Sequence, residues 1–515
     1  MACWQSANSA VWRRWGADRW GRATPPRGHA ANREWERSVR ASPPGSTWPA
    51  GNQRRGARSL LATACVLSLS VVGGAAAQMP AVAPERVALI NARIIPVVGA
   101  EIARGTVLTE RGKIATVGVD VEIPYDARVF DLNGKVVFPG MIDVHTARGL
   151  DIANEPRPVT PHLDVADAID PSQLFFEDCL RLGITAVHVI PGNNTVFGGV
   201  GRVVRPIGLT VAEMTIAEGA FLKLSVAPRS GHDRMLQMAI FRETFAELDD
   251  YLAKLAEKRY EEHLKEQKKT LDVGPAEARR RGRQLIRAED IDDQHRNLLR
   301  LRGGQIFVAG EDGPKLFEPL GAFVHCEKAM DVGPAVQLAK DQGFFGRTVL
   351  VLGGECYKAV GELKQAARPV VLPPELTCRE THPLTGEIKE IFVPKVIFDA
   401  GLLFALTAGS DDSYAERMLT YQAAQCVRRG LPRDEALRAI TINPARMLRL
   451  DERLGSLEAG KDAHLVVFSG DPLDFQSVVE MVFIDGILAY ERSKDVRLQR
   501  LLSPGTTDGP KEKPE

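Results

Sequence analysis

The chain has 515 residues, of which 44% are hydrophobic and 26% charged, and its 66 basic residues balance its 66 acidic ones. This composition is typical of a globular protein and excludes a disordered, collagen-like or coiled-coil chain. The balance hides an uneven distribution. Residues 1–77 contain eleven Arg, no Lys and three acids, so the remaining residues are acidic by eight charges. An acidic body of this kind excludes nucleic acid as the expected partner.

The first 77 residues predict an extension followed by an export signal. All six Trp lie within the first 48 residues, in a segment without apolar periodicity. Three Arg between residues 54 and 58 precede an uncharged run, 60–72, and then small residues ending at Ala77. This order is typical of a secretory signal that is cleaved before Gln78, because the run is too short for a bilayer span. We therefore expect an exported protein, periplasmic or secreted, with no membrane anchor after cleavage.

Short strand patterns at both ends of the mature chain flank a long α/β region. Residues 86–138 and 463–490 contain short apolar runs separated by breaks with Gly, Asn or Pro, which is typical of β-structure. Between them, apolar runs alternate with helical stretches and predict parallel β/α units. These runs are 136–145, 184–190, 221–225, 322–326, 348–352, 369–372 and 402–407.

Residues 241–300 predict a charged helical region with one apolar stripe. The stripe has spacings of three and four residues, and its members are Phe241, Phe245, Leu248, Leu252 and Leu255. We expect the stripe to pack on the neighbouring strands, with a short coiled-coil interface as the alternative.

Three polar residues lie at the carboxyl ends of predicted strands. His145 shares one face of its strand with Asp143, His325 ends a second strand, and Asp411 follows a third. Because the carboxyl ends of barrel strands open onto one functional face, we expect these side chains to converge. Two imidazoles and a carboxylate are suitable ligands for a divalent metal that keeps an open position for water.

Motifs at both ends of the mature chain are specific in combination. They occupy residues 112–118, 131–145, 441–446, 455–467, 470–473 and 484–486. Together they resemble the amidohydrolase superfamily, in particular its imidazolonepropionase-like members. The resemblance implies an α/β fold, a (β/α)8 barrel with a small β-sandwich domain formed from the N- and C-terminal segments.

This fold divides the chain into five parts. We expect the extension and signal peptide at 1–77, the first part of the sandwich at 78–138 and the barrel at 139–454. The second part of the sandwich is then 455–495, and residues 496–515 form a tail that is disordered by composition.

The resemblance also implies a metal-ligand set. Members of the superfamily bind metal through a His-x-His pair on the first strand, often a carboxylated Lys on the fourth, two further His and an Asp. In this chain His145, His325 and Asp411 match ligand positions, and Lys223 matches the lysine.

Two ligand positions lack their histidine. Ala147 replaces the second His of the pair, and Leu352 replaces the His of the sixth strand. We therefore predict at most one divalent ion, zinc by ligand type, with a metal-free protein as the alternative. Histidines introduced at both positions are expected to tighten metal binding. Whether Asp143 or Glu355 approaches the vacated places stays open.

Candidate substrate-side residues are Asn193, Asn194 and Glu355. The two Asn belong to the segment 191–199 after the second strand, for which a plain tight loop is the alternative. The expected reaction is attack of metal-activated water on an amide or cyclic-amide carbon of a small-molecule substrate, with Asp411 as proton acceptor.

The alternative function is a non-catalytic ligand-binding or regulatory subunit that pairs with an active relative. Metal content and hydrolysis separate the two hypotheses. A homo-oligomer and a pairing with a related amidohydrolase both stay open as assemblies.

Overall fold

The computed structural model describes residues 86–271, 273–308, 311–409 and 418–502, all of which belong to one compact unit, Gln78–Glu515. The predicted extension, the signal peptide and Asp411 lie outside the described residues.

The described chain contains strands and helices in mixed order. In chain order the strands are β1 (Val87–Ile94), β2 (Ile102–Glu110), β3 (Lys113–Gly118), β4 (Arg128–Asp131), β5 (Val136–Pro139), β6 (Met141–Thr146), β7 (Ile184–Val189), β8 (Phe197–Val200), β9 (Arg202–Val204), β10 (Thr215–Ala217), β11 (Phe221–Ser225), β12 (Gln305–Val308), β13 (Glu311–Lys315), β14 (Gly321–Cys326), β15 (Thr348–Leu352), β16 (Val370–Leu372), β17 (Thr377–Thr381), β18 (Ile388–Phe392), β19 (Phe404–Leu406), β20 (Leu465–Phe468), β21 (Val479–Ile484) and β22 (Ile487–Glu491). The α-helices are α1 (Leu174–Arg181), α2 (Val211–Met214), α3 (Arg234–Glu266), α4 (Pro275–Gly282), α5 (Asp293–Leu301), α6 (Ala329–Asp341), α7 (Val360–Ala366), α8 (Val393–Asp399), α9 (Leu419–Arg428), α10 (Arg433–Arg438), α11 (Ile442–Met447) and α12 (Val496–Leu502).

The two ends of the described chain form one sheet, here called the terminal sheet. Its strand order is β22-β21-β20-β5-β1-β2-β3, and β4 pairs with β1. Strand β20 runs antiparallel to β5, with Val467 opposite Val137, so the C-terminal segment completes the N-terminal sheet. Phe130 of β4 meets Phe483 of β21 with a ring-centroid distance of 5.4 Å. The expected sandwich is therefore a single eight-stranded sheet whose members share one apolar core.

The central strands form two further sheets. In one, β19, β16, β15, β14 and β11 run parallel, and β8 is antiparallel to β11. In the other, β6 and β7 are parallel, and β9 is antiparallel to β7. Only Gly201 separates β8 from β9, so the segment 197–204 joins the two sheets. Strands β6, β7, β9, β11, β14, β15, β16 and β19 all contribute side chains to one buried cluster.

The reading of residues 191–199 as a plain loop is wrong at its end, because β8 begins at Phe197. A Cβ atom on Gly198 would lie 3.1 Å from Lys223 Cβ, and one on Gly201 would lie 2.6 Å from His188 Nε2. These glycines permit a close approach of the strand to its neighbours, although glycines in a sequence more often indicate a turn.

The predicted stripe of α3 packs on this joining segment. Phe241, Phe245, Leu248 and Leu252 are buried, and the rings of Phe241 and Phe245 lie 4.8 and 5.5 Å from that of Phe197. Packing on the strands is thus the observed arrangement. Within the described part of the chain, no helix is both long and apolar enough to cross a membrane.

The predicted disordered tail begins too early, because residues 496–502 form α12. Asp495 explains its start, since the Asp495 carboxylate accepts hydrogen bonds from the backbone N–H groups of Arg497 and Leu498 at 3.1 and 3.2 Å. Residues 503–515 lie outside the described residues.

Candidate functional site

A cavity of about 780 Å³ opens at the carboxyl ends of the central strands. Its lining comes from the ends of β6, β14, β15 and β16 and from the segments after β7 and β19. This volume suits a small organic molecule.

The floor of the cavity depends on a contact between β6 and β11. Lys223 Nζ lies 2.6 Å from His145 Nε2 and donates a hydrogen bond of 2.6 Å to Asn193 Oδ1. His145 and Asn193 line the cavity, whereas Lys223 is fully buried and is not part of the lining. Burial lowers the pKa of the Lys223 amine to about 7, because the ammonium form loses its hydration. The two sequence candidates His145 and Asn193 are thus brought together by the third, Lys223.

The two imidazoles of the site are held in the neutral form. Burial, followed by repulsion from Lys223, lowers the pKa of His145 well below its usual value. Burial also lowers the pKa of His325, whose Nε2 lies 3.2 Å from Glu327 Oε2. The hydrogen bond with His325 lowers the pKa of Glu327, so this carboxylate is ionised. Neutral imidazoles retain the lone pair that a metal ion requires.

Asp143 joins the first and last central strands. The Asp143 carboxyl oxygen Oδ1 lies 2.8 Å from Thr407 Oγ1 and accepts a hydrogen bond from the backbone N–H of Ala408 at 3.3 Å. Burial raises the pKa of Asp143 to about 6. Asp143 is not part of the cavity lining, and its contacts with Thr407 and Ala408 connect the first and last central strands.

The end of β15 differs from the sequence-based assignment of the missing histidine. Ala147 and Leu352 both line the cavity, as does Val351. In the pairing of β14 with β15, however, Val351 is the register partner of His325, and Leu352 is the partner of Cys326. Because paired residues face the same side of a sheet and successive residues alternate, the register favours Val351 as the neighbour of His325.

Two candidates lie outside the cavity lining. Asn194 Oδ1 accepts a hydrogen bond from the backbone N–H of Ser230 at 2.6 Å, and Asn194 N donates to Asn154 Oδ1 at 2.9 Å, so this residue fixes the loop. Glu355 belongs to the short 3-10 helix Gly354–Ala359. Glu327 lines the cavity but was not predicted from the sequence. Its position two residues after His325 is the sequence feature that could have indicated it.

The described lining of the cavity supplies two imidazole donors, His145 and His325. Among the residues that the structure describes, no group of three or more His, Cys, Asp or Glu is placed to hold a metal. His145 and His325 are neutral nitrogen donors of a type that zinc prefers. His145 Nε2 faces Lys223 Nζ, so an ion at this nitrogen requires the amine to move or to be modified. Asp411, the expected carboxylate ligand, lies outside the described residues.

Comparisons with known proteins find similarity to one family. The model of the amidohydrolase family matches residues 410–490. Amidohydrolase tasK of Hapsidospora irregularis is 24% identical over 424 residues, which are 75% of this chain and 40% of that protein. A probable imidazolonepropionase of Danio rerio is 32% identical over 129 residues, 22% of this chain and 29% of that protein. The chain therefore spans less than half the length of these curated relatives.

A solved structure gives a match along most of the chain. An amidohydrolase from Thermotoga maritima MSB8 is 29% identical, with a TM-score of 0.63, and the alignment covers 79% of this chain and 100% of that one. With the family-model match and the position of His145 and His325 at strand ends, this likeness supports the amidohydrolase superfamily as the family of this chain.

Proposed function

We propose that this chain is a metal-dependent hydrolase that cleaves the C–N bond of a small amide or cyclic amide. The observation that carries the proposal is the convergence of His145, Asn193 and His325 on the lining of one cavity, with Lys223 in contact with His145. The amidohydrolase relatives support the reaction class.

The fold that we propose for the central region is the eightfold β/α barrel of the superfamily. Three observations support it: the segment 197–204 joins the two central sheets, the Asp143–Thr407 contact brings β19 against β6, and eight strands share one interior cluster. The third strand of this barrel departs from the regular pattern, because β8 and β9 run antiparallel to their neighbours.

One divalent ion would be held by His145, His325 and Asp411, with carboxylated Lys223 as a further ligand. When bound, such an ion supplies Lewis acidity toward the amide carbonyl and lowers the pKa of a bound water. We expect no second ion, because in the described lining Ala147 stands at one vacated place and the apolar pair Val351 and Leu352 stands at the other.

The chain's own residues bind, orient and move protons. Asn193, whose amide oxygen is fixed by Lys223, presents its side chain to the cavity and orients the substrate amide. Glu327 orients the His325 imidazole, as carboxylates commonly do for metal-binding histidines. Asp411 accepts the proton of the attacking water and returns it to the leaving nitrogen.

Metal analysis and hydrolysis assays on the purified protein test the proposal. We expect about one zinc per chain and turnover of some members of a set of lactams and p-nitroanilides, with a loss of more than about 100-fold in Asp411→Asn. Asp474→Asn, a change at an exposed turn residue, is the matched control and keeps full activity. A protein that binds no metal and hydrolyses none of these amides favours the non-catalytic subunit instead.

We also propose that the protein is exported and cleaved before Gln78. The basic stretch, the apolar run 60–72 and the small residues ending at Ala77 support this. N-terminal sequencing of protein from cell fractions tests it. Cleavage removes all six Trp, so the mature protein should fluoresce like tyrosine, and Trp-type emission from the isolated protein contradicts the proposal.

A further inference from the structure

The cavity has a polar side and an apolar side. On the polar side, His145, Asn193, His325 and Glu327 present nitrogen and oxygen atoms to the interior. The apolar side comes from the ends of β15 and β16 and the two prolines that directly follow β16. Its members, here called the apolar wall, are Val351, Leu352, Leu372, Pro373 and Pro374.

The wall is continuous because its two strands are neighbours. Val351 pairs with Val371 in the parallel ladder of β15 and β16, so the ends of the two strands lie at the same level. The lining residues of the described segment 351–374 are all Val, Leu, Pro or Gly, and the wall ends at Glu375, which lines the cavity together with Thr377 and Arg379. Val351 is also the register partner of His325, which places the wall directly beside the polar floor.

We propose that the apolar wall is a subsite for an aliphatic group that the substrate carries next to its scissile amide bond. An aliphatic group gains free energy there because it leaves water for an apolar surface. A charged or hydroxylated group in the same place loses its hydration and finds no hydrogen-bond partner on the wall. The substrate class is therefore an amide with an aliphatic chain of several carbons. That it is an amide rests on the proposed function.

Binding of straight-chain primary amides to the purified protein tests the subsite without any need for turnover. We expect affinity in isothermal titration calorimetry to rise from acetamide through butanamide to hexanamide, by about threefold to fourfold per added methylene. Val351→Thr keeps the shape of the side chain but replaces one methyl group with a hydroxyl group, and should reduce this increment to less than about twofold. Val351→Phe fills the subsite and should abolish the preference for the longer chain.

Val467→Thr is the matched control, because Val467 is equally a buried β-strand valine but lies in the core of the terminal sheet. It should lower stability yet leave the chain-length series unchanged. Equal affinity for all three amides, or no binding of hexanamide, overturns the subsite. A clear chain-length series in a protein that hydrolyses no amide keeps the subsite and removes the hydrolase, so the two proposals fail separately.

Discussion

The terminal sheet and the cavity floor bury very different side chains. The core of the terminal sheet is apolar, with Leu89, Val137 and Phe483 inaccessible to solvent. The region of the cavity floor buries Asp143 and Lys223 instead. Because burial favours the neutral form of each group, it raises the pKa of Asp143 to about 6 and lowers the pKa of Lys223 to about 7.

This difference separates the terminal sheet, which stabilises the fold, from the cavity floor, which contains the buried ionisable groups. Burial of apolar surface stabilises the fold by about 25 cal/mol per Å². A buried amine or carboxyl group destabilises it unless hydrogen bonds offset the lost hydration. Ionisable groups that are retained at such a cost are typical of functional sites.

The largest effect on stability is expected in the terminal sheet. Phe483→Ala removes a fully buried ring that packs against Phe130, and should lower the free energy of unfolding by about 3–5 kcal/mol. Urea denaturation measures this, and activity per folded molecule should stay the same. A loss below about 1 kcal/mol would mean that the sheet contributes little to the stability of the chain.

The terminal sheet was also the part that the sequence predicted best. All eight strands of this sheet begin within the two segments 86–138 and 463–490, because short apolar runs and turn residues mark them as β-structure. In the central region, β11 and β15 have the predicted bounds.

Other elements could not be predicted because their signals point elsewhere. The joining segment 197–204 is rich in glycine, and its glycines serve close packing. The hairpin of β17 and β18 is largely exposed and charged, so it lacks an apolar pattern. The contact of Lys223 with His145 depends on which distant strands lie side by side, and local sequence does not contain that information.

The second prediction compares the replacement of one lysine by methionine in each region. Lys223→Met should reduce hydrolysis by about 100-fold, roughly 2.7 kcal/mol in the activation barrier, and leave the free energy of unfolding unchanged or higher. Lys461→Met is the control at the terminal sheet, where Lys461 Nζ lies 2.6 Å from Ser456 Oγ and 2.8 Å from Glu458 Oε2. This change should lower stability and leave activity unchanged. The opposite pattern would contradict the division between the two regions.

The third prediction concerns pH and the link from the terminal sheet to α1. The Asp495 carboxylate accepts hydrogen bonds from Arg181 Nε at 2.7 Å and from Tyr490 Oη at 3.1 Å, and the bond from Arg181 lowers the pKa of Asp495 to about 2. A lowered pKa of an acid means that its stabilising contribution is present above the unfolded pKa, near 4, and is lost as pH falls toward 2.

Asp495→Asn measures that contribution. At pH 5 the variant should be less stable than the wild type by about 2 kcal/mol, and the difference should shrink as pH falls from about 4 to about 2. Urea denaturation at pH 5 and pH 3 gives both values. A difference that is the same at both pH values would show that the ionised carboxylate does not account for the link.

The smallest expected effect is a change in zinc affinity, and it locates the position of a missing ligand at the cavity floor. If the chain binds one zinc ion, adding histidines at the vacated places should tighten zinc binding by more than about tenfold, roughly 1.4 kcal/mol. The resemblance to the superfamily assigns one of these places to Leu352, but the register pairs Val351 with His325. Zinc titrations of Ala147→His/Val351→His and of Ala147→His/Leu352→His therefore distinguish the two assignments. We expect the larger gain with Val351→His, because its imidazole would face the same side of the sheet as that of His325. Tighter zinc binding in the Leu352→His variant alone would show that the chain changes direction at the end of β15, so that the ligand position does not follow the register of β14 and β15. If neither double variant binds zinc more tightly than the wild type, side chains at the end of β15 lie too far from the metal site to bind the ion.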